Sequence, residues 1–142
     1  MNGQCMCGAV KVAAEPARDA LTACHCNMCR QWSSGPFMAM SAIPGSVRVE
    51  GPVKVFQSSD WAERAFCETC GSNLWYRITA KGPGHGHHQL AAGLFDTGDT
   101  PIGLEVFIDE KPAGYEFTGA RKQMTGAEIM AAFAPKNEGE SR

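Results

Sequence analysis

Seven cysteines lie in three short motifs, and their spacing is the strongest chemical signal in the sequence. The motifs are C-x-C (Cys5, Cys7), C-x-C-x-x-C (Cys24, Cys26, Cys29) and C-x-x-C (Cys67, Cys70). One local backbone geometry can aim such closely spaced thiolates at a single point, as a tetrahedral metal ion with sulfur ligands requires. Unrelated buried cysteines would not cluster in this way, so the sequence predicts metal sites.

The number of thiols favours one closed site and one open site. Two closed tetrahedral sites need eight donors, whereas the chain has 7 cysteines. A four-thiolate structural site and a three-thiolate site would use all seven and leave one coordination position free, as in catalytic zinc sites. His25 could close the second site, but in an extended chain its side chain points away from those of Cys24 and Cys26.

Spacing alone leaves the division of the cysteines between the two sites open. Joining residues 26 and 29 to residues 67 and 70 would resemble a zinc ribbon. Joining the first C-x-C to the last C-x-x-C instead keeps a local trio at 24–29, whose convergence needs little long-range ordering. We favour this second division, and we note that tetrahedral sulfur sites suit iron as well as zinc.

Short β-rich segments separated by turn residues predict a mainly β protein with antiparallel sheets. The predicted strands are 9–14, 20–24, 37–42, 46–50, 53–57, 64–67, 73–78, 89–94 and 104–108. One short C-terminal helix is predicted, because Thr125 and Glu128 fit a capping box and Pro135 would end the helix. We also expect a positive φ at Gly71, just after the last cysteine motif.

The length of the chain and its lack of an internal repeat or linker indicate one domain, which we place at residues 1–135, followed by a polar tail at 136–142. The net charge is −2 with both signs interspersed, so neither nucleic acid nor a membrane surface is an expected partner. No run approaches the ~20 apolar residues that span a bilayer. The N-terminus does not resemble a signal peptide, so we expect a cytoplasmic protein, where clustered cysteines usually bind metal. The oligomeric state is not predicted.

The sequence resembles the glutathione-dependent formaldehyde-activating enzyme family, which also includes centromere-protein-V-like proteins. The matching motifs are GQCMCGAV at 3–10, CHCNMCR at 24–30 and RAFCETCGSNLWYR at 64–77, with weaker similarity at 91–96 and 104–112. The resemblance implies a β-tent, in which antiparallel sheets are pinned by zinc, and two zinc ions per chain. The implied ligands are Cys5, Cys7, Cys67 and Cys70 for a structural zinc, and Cys24, Cys26 and Cys29 for a second zinc with an open position.

The resemblance also implies an activity, the addition of glutathione to formaldehyde by a carbon–sulfur lyase. The chemistry of the trio fits this activity, because a metal-bound thiol is deprotonated and becomes a nucleophile. Alternatively, the zinc could polarise the aldehyde oxygen as a Lewis acid. A different interpretation is a non-catalytic module in which both metals are structural and the pocket binds a thiol or a protein partner.

Arg30 and Trp32 are the candidate substrate residues, since both follow Cys29 closely. Arg30 could bind a carboxylate of the thiol, although an exposed arginine that supports the turn is an equal alternative. The chain departs from the family pattern at Trp32, where a smaller residue is common, and at Glu105, where a histidine is common. Both positions border the predicted pocket, so the thiol and the aldehyde of this protein stay open.

Two further polar segments are interpreted as surface. Three histidines at 85–88 lie in a glycine-rich stretch, which favours a loop over a third metal site. The Asp60, Glu63 and Arg64 group is interpreted as a solvated turn.

Overall fold

The β-rich segments pair into two sheets in the computed structural model of the protein, which describes residues 1–134. The strands are β1 (Asn2–Gln4), β2 (Lys11–Ala13), β3 (Leu21–Cys24), β4 (Phe37–Ser41), β5 (Arg48–Glu50), β6 (Val53–Gln57), β7 (Ala62–Cys67), β8 (Asn73–Ile78), β9 (His88–Ala91), β10 (Ile102–Val106) and β11 (Lys122–Met124). The helices are α1 (Asn27–Ser33) and α2 (Gly126–Phe133), and short 3-10 turns occupy Ala92–Leu94 and Ile108–Glu110. The mainly β prediction is confirmed.

The larger sheet has eight strands in the order β11-β10-β3-β4-β9-β8-β7-β6, and the smaller has the order β1-β2-β5. From β3 to β6 every pairing of the larger sheet is antiparallel, as short connections predict. The other end differs, because β10 pairs in parallel with both β3 and β11. The parallel end places residues 102–106 beside the segment that carries the central cysteine motif.

The buried side chains form separate groups, and strand β8 contributes to two of them. One group is the main core, which includes Val10, Leu74 and Leu90 and also contains Cys67. Another group contains Cys29 and is built on β4 and α1. Because successive strand residues point to opposite faces, β8 supplies Trp75 to the main core and Tyr76 to the group that contains Cys29.

The C-terminal helix is confirmed together with its capping box. Thr125 Oγ1 accepts a hydrogen bond from the Glu128 amide at 3.2 Å, and the Glu128 carboxylate accepts one from the Thr125 amide at 2.9 Å. The predicted stop at Pro135 and the tail at 136–142 lie outside the described residues. Helix α1 was not predicted, and it begins directly after Cys26.

None of the helices formed by residues 1–134 combines the length and the apolarity needed to cross a bilayer.

Candidate metal centres

The first cluster brings together the four cysteines of the first and the last cysteine motifs. The sulfurs of Cys5, Cys7, Cys67 and Cys70 all lie within 4.8 Å of one another. Cys5 and Cys7 sulfurs are 3.6 Å apart, and those of Cys7 and Cys67 are 3.9 Å apart. A tetrahedral ion with metal–sulfur bonds of about 2.3 Å has sulfur–sulfur edges of about 3.8 Å. This donor set therefore fits a four-coordinate metal ion.

Local backbone geometry aims these sulfurs. The Val10 amide donates to Cys5 Sγ at 3.2 Å, and the Cys70 amide donates to Cys67 Sγ at 3.5 Å. Gly71 has a φ of +78°, as predicted, and its amide donates to the Cys67 carbonyl at 2.8 Å. Such amide–sulfur contacts favour the thiolate form that binds metal.

The second cluster consists of Cys24, Cys26 and Cys29, whose sulfurs also lie within 4.8 Å of one another. Cys24 ends β3, Cys26 is the N-cap of α1, and Cys29 lies in the first turn of that helix. Cys26 Sγ accepts a hydrogen bond from the Cys29 amide at 3.3 Å, as a capping side chain does. The helix start thus bends the C-x-x-C half of the motif so that its sulfurs converge.

The three sulfurs of the trio do not ionise independently. Hydrogen bonds from the thiols of Cys24 and Cys29 lower the pKa of Cys26 to about 2. The same contacts, to Cys26 and Cys29, raise the pKa of Cys24 above its ordinary range. The three sulfurs therefore compete for negative charge. A divalent cation would remove this competition and allow all three thiolates to form together, which suits a metal site.

His25 lies outside the trio, as strand alternation predicts. Its ring is fully buried, with Nε2 2.8 Å from Glu105 Oε1 and Nδ1 2.9 Å from the hydroxyl of Tyr115. Both ring nitrogens are thus engaged by residues other than the three cysteines. Among residues 1–134, the chain supplies three cysteines and no further histidine, cysteine or carboxylate donor to this cluster.

Glu105, which the sequence marked only as a departure from the family pattern, is a buried hub beside the trio. Its carboxylate accepts hydrogen bonds from Gln123 Nε2 at 3.0 Å and Arg121 Nη1 at 3.2 Å besides the contact with His25. Burial alone would raise the pKa of Glu105, but the bonds from Gln123, His25 and Arg121 outweigh it and lower that pKa. The parallel strands create the hub, since Glu105 pairs with Ala23 on β3 and with Gln123 on β11.

Arg30 and Trp32 lie on α1 next to the second cluster. Arg30 Nε donates to the His25 carbonyl at 2.9 Å, which fixes its guanidinium near the trio. The Trp32 ring packs on Phe37, with ring centroids 5.1 Å apart, and faces the guanidinium of Arg64. A substrate role for either residue stays a prediction.

Arg64 lies in the predicted strand at 64–67, which forms part of β7, but its side chain is buried, so its interpretation as a solvated residue was wrong. It is 4% exposed, and its Nη1 and Nη2 atoms lie 3.6 and 3.7 Å from Cys29 Sγ. The alternation of Ala62, Arg64 and Phe66 along one strand was the available signal. It could not reveal the sulfur partner, which is 35 positions away in the sequence.

The histidines at 85–88 do not join either cluster. His85 Nδ1 is 3.1 Å from the backbone carbonyl of Thr79, and His88 belongs to β9. Within residues 1–134, they belong to no cluster of side chains that could hold a metal ion.

The family model described as "Glutathione-dependent formaldehyde-activating enzyme" matches residues 1–109, which include every cysteine of the two clusters. The chain belongs to this family. An uncharacterized lyase of Schizosaccharomyces pombe is 35% identical to this GFA-family chain over 134 residues, which cover 93% of the chain and 96% of the relative.

A solved structure shares the fold of this GFA-family chain. The crystal structure of a Rhodobacter sphaeroides protein matches it with a TM-score of 0.58 and 22% identity, over 72% of this chain and 99% of that one.

Proposed function

We propose that this GFA-family protein is a zinc-dependent carbon–sulfur lyase that adds a thiol, glutathione or a similar one, to a small aldehyde such as formaldehyde. The observation that carries the proposal is a cluster of three sulfurs whose neighbouring histidine has both ring nitrogens engaged by Glu105 and Tyr115. Zinc normally takes four ligands, so three protein donors leave one position for a thiol. We propose that the first cluster holds a second, structural zinc.

The fit of the donor set supports this assignment of roles. The four-sulfur cluster has spacings of a closed tetrahedral site, and closed sites stabilise folds. In the trio, Cys24 and Cys26 are only half-buried, so a small ligand can approach from solvent. A zinc ion there would keep an incoming thiol ionised near neutral pH.

The proposed reaction is balanced without a redox partner. The thiol sulfur forms one bond to the carbonyl carbon, the carbonyl π electrons move to oxygen, and that oxygen gains the proton that the thiol lost. Cys24, Cys26 and Cys29 hold the site together, while Arg30 offers its guanidinium to a carboxylate such as those of glutathione. Trp32 would form part of the pocket wall. The S. pombe relative, which is named a lyase, supports the reaction class.

The test is a comparison of exchange rates in the presence of zinc-loaded protein. Exchange between free formaldehyde and its thiol adduct is followed by NMR with glutathione and with several smaller thiols, and the uncatalysed rate is subtracted. We expect the wild type to accelerate exchange and Cys26→Ser to abolish the acceleration. Met28→Leu is the matched control, because it changes a non-ligand side chain within the same turn and conserves volume.

A folded wild-type protein with two zinc ions that accelerates exchange with none of the thiols would refute the lyase. The alternative, a module with two structural metals, would then be favoured. Metal content is measured on the same samples, so that an inactive protein is distinguished from one that has lost its zinc.

A further inference from the structure

Arg64 places a buried positive charge against the second cluster. The side chain is 4% exposed, and two guanidinium nitrogens, Nη1 and Nη2, approach the single sulfur of Cys29 at 3.6 and 3.7 Å. These distances are those of N–H···S hydrogen bonds, which are longer than bonds to oxygen because sulfur is larger. A guanidinium carries its charge at every relevant pH, so Cys29 has a permanent cation beside it.

Two aromatic rings hold the guanidinium in place. Arg64 Cζ lies 4.9 Å from the ring centroid of Trp32 and 5.1 Å from that of Tyr76. Tyr76 stands directly opposite Arg64 in the β7–β8 pairing, whereas Trp32 comes from α1. The cation therefore packs against rings from two elements, and such contacts favour a desolvated cation.

The sulfurs are the counter-charge of Arg64. No carboxylate within residues 1–134 forms an ion pair with it, because the ion pairs there are those of His25, Arg77 and Arg121. A buried cation without an anionic partner would be strongly destabilising. The neutralising charge thus lies next to a cysteine ligand of the cluster, Cys29.

Charge arithmetic shows what this arrangement achieves. Three thiolates and one divalent ion leave a net charge of −1, and an approaching thiolate would meet repulsion. Arg64 brings the sum to zero before the fourth ligand arrives. We propose that Arg64 is a positioning residue that, through Cys29, makes the open site selective for an anionic thiolate over a neutral ligand. This inference rests on the proposed function, which it deepens by naming the charge of the ligand that the site selects.

The test measures ligand binding, not turnover, and it uses protein loaded with Co²⁺ as a spectroscopic probe. Binding of 2-mercaptoethanol, which gives a thiolate, and of imidazole, a neutral ligand, is titrated by the change in the cobalt absorption bands. Three variants are compared with the wild type: Arg64→Met removes the charge, Arg64→Lys keeps the charge but loses the fork, and Arg77→Met is the matched control. Arg77 is an arginine on the adjacent strand β8, paired with Glu63.

We expect Arg64→Met to weaken thiol binding by roughly tenfold or more. In a partly buried site, the attraction between one neighbouring unit charge and the bound thiolate is large enough to change the affinity by that factor. Imidazole binding should stay within about twofold, since a neutral ligand gains little from the charge. Arg64→Lys should retain the preference for the thiol, and Arg77→Met should behave as the wild type. The ratio of the two affinities separates an electrostatic role from a loss of packing, which would weaken both ligands alike.

Equal losses for both ligands in Arg64→Met, or no loss for either, would overturn the inference. A wild-type cobalt protein that binds imidazole but not the thiol would overturn it as well. If Arg64→Met does not fold, Arg64→Lys decides, because loss of thiol preference despite the retained charge contradicts the proposal. Selective thiol binding without catalysed exchange would refute the lyase and leave the role of Arg64 standing. Catalysed exchange with the same rate in Arg64→Met as in the wild type would refute the role of Arg64 and leave the lyase standing.

Discussion

His25 and Glu105 are joined by a contact of 2.8 Å between Nε2 and Oε1, and both side chains are at most 2% exposed. His25 lies between two cysteines of the second cluster, whereas Glu105 lies on β10. The contact therefore ties the cluster to the parallel end of the large sheet. Because Tyr115 engages the other ring nitrogen, neither nitrogen of the imidazole is left for the second cluster.

Removing the carboxylate of Glu105 should destabilise the fold. We expect Glu105→Ala to lower the free energy of unfolding by about 3 kcal/mol, because it leaves His25 and Arg121 buried without their partner. Urea unfolding of metal-loaded protein at pH 7 measures the change. Glu116→Ala, which alters an exposed carboxylate, is the control and should stay within about 0.5 kcal/mol. Equal losses in the two variants would contradict this account.

The same carboxylate should make stability depend on acid. Its pKa is lowered on folding, so its stabilisation is present above the pKa of an unfolded Glu, about 4.3, and is lost as the pH falls through the folded-state pKa. The stability gap between wild type and Glu105→Gln should therefore be full at pH 7 and shrink below about pH 4. Urea unfolding of both proteins across this range tests it. Acid also releases metal, but from both proteins alike, so a gap independent of pH would exclude the ionised hub.

Metal content should separate the two clusters. We expect Cys26→Ser to keep one metal ion per chain and the β-sheet circular dichroism, because the first cluster is intact. Cys67→Ser should lose that fold, because Cys67 belongs to the main core and to the four-sulfur cluster. Elemental analysis per chain and far-ultraviolet circular dichroism measure both. Unfolding of Cys26→Ser with loss of both ions would argue that the clusters are not separable.

Gly51 allows two backbone segments to pack closely beside the first cysteine motif, and we expect it to be essential there. Its φ is +115°, and a Cβ there would overlap the carbonyl oxygen of Ala9, next to Val10, whose amide holds Cys5 Sγ. Gly51→Ala should cost about 2 kcal/mol or more and weaken metal retention at that cluster. Gly93→Ala is the matched control, because a Cβ at Gly93 would meet no atom within 4 Å. Thermal unfolding that shifts equally in both variants would contradict the prediction.

Local signals predicted the parts of the fold that local interactions determine. The limits of β6 and β8 match the predicted segments, and the capping box placed the start of α2 at Thr125. Spacing left the division of the cysteines open, but the division that we favoured, which the family resemblance also implies, is the one that the sulfurs adopt. The predicted strand at 89–94 ends at Ala91 and continues as a 3-10 turn, because its apolar run does not distinguish the two.

Other parts depend on contacts between distant segments and were not predictable in this way. The alternation of apolar and polar residues predicts which side chains share a face of a strand, but it does not predict which strands pair. The parallel pairing of β10 with β3 was therefore missed. Helix α1 is too short for a periodic pattern, and its cap is a cysteine that was interpreted only as a metal ligand. Arg64 and Glu105 look like surface residues until their partners are known, because a buried charge is identified by what compensates it.

The first cluster also has a consequence for the topology of the chain. Cys7 and Cys67 are 60 positions apart, and a metal ion that joins them closes a loop containing the entire second motif. A covalent crosslink of that span would remove chain entropy worth about 4 kcal/mol from the unfolded state. With that loop closed, an ion bound by Cys24, Cys26 and Cys29 could leave and return while the first cluster keeps the fold together. Exchange of the metal ion at the second cluster would then be a local event that does not require unfolding of the protein.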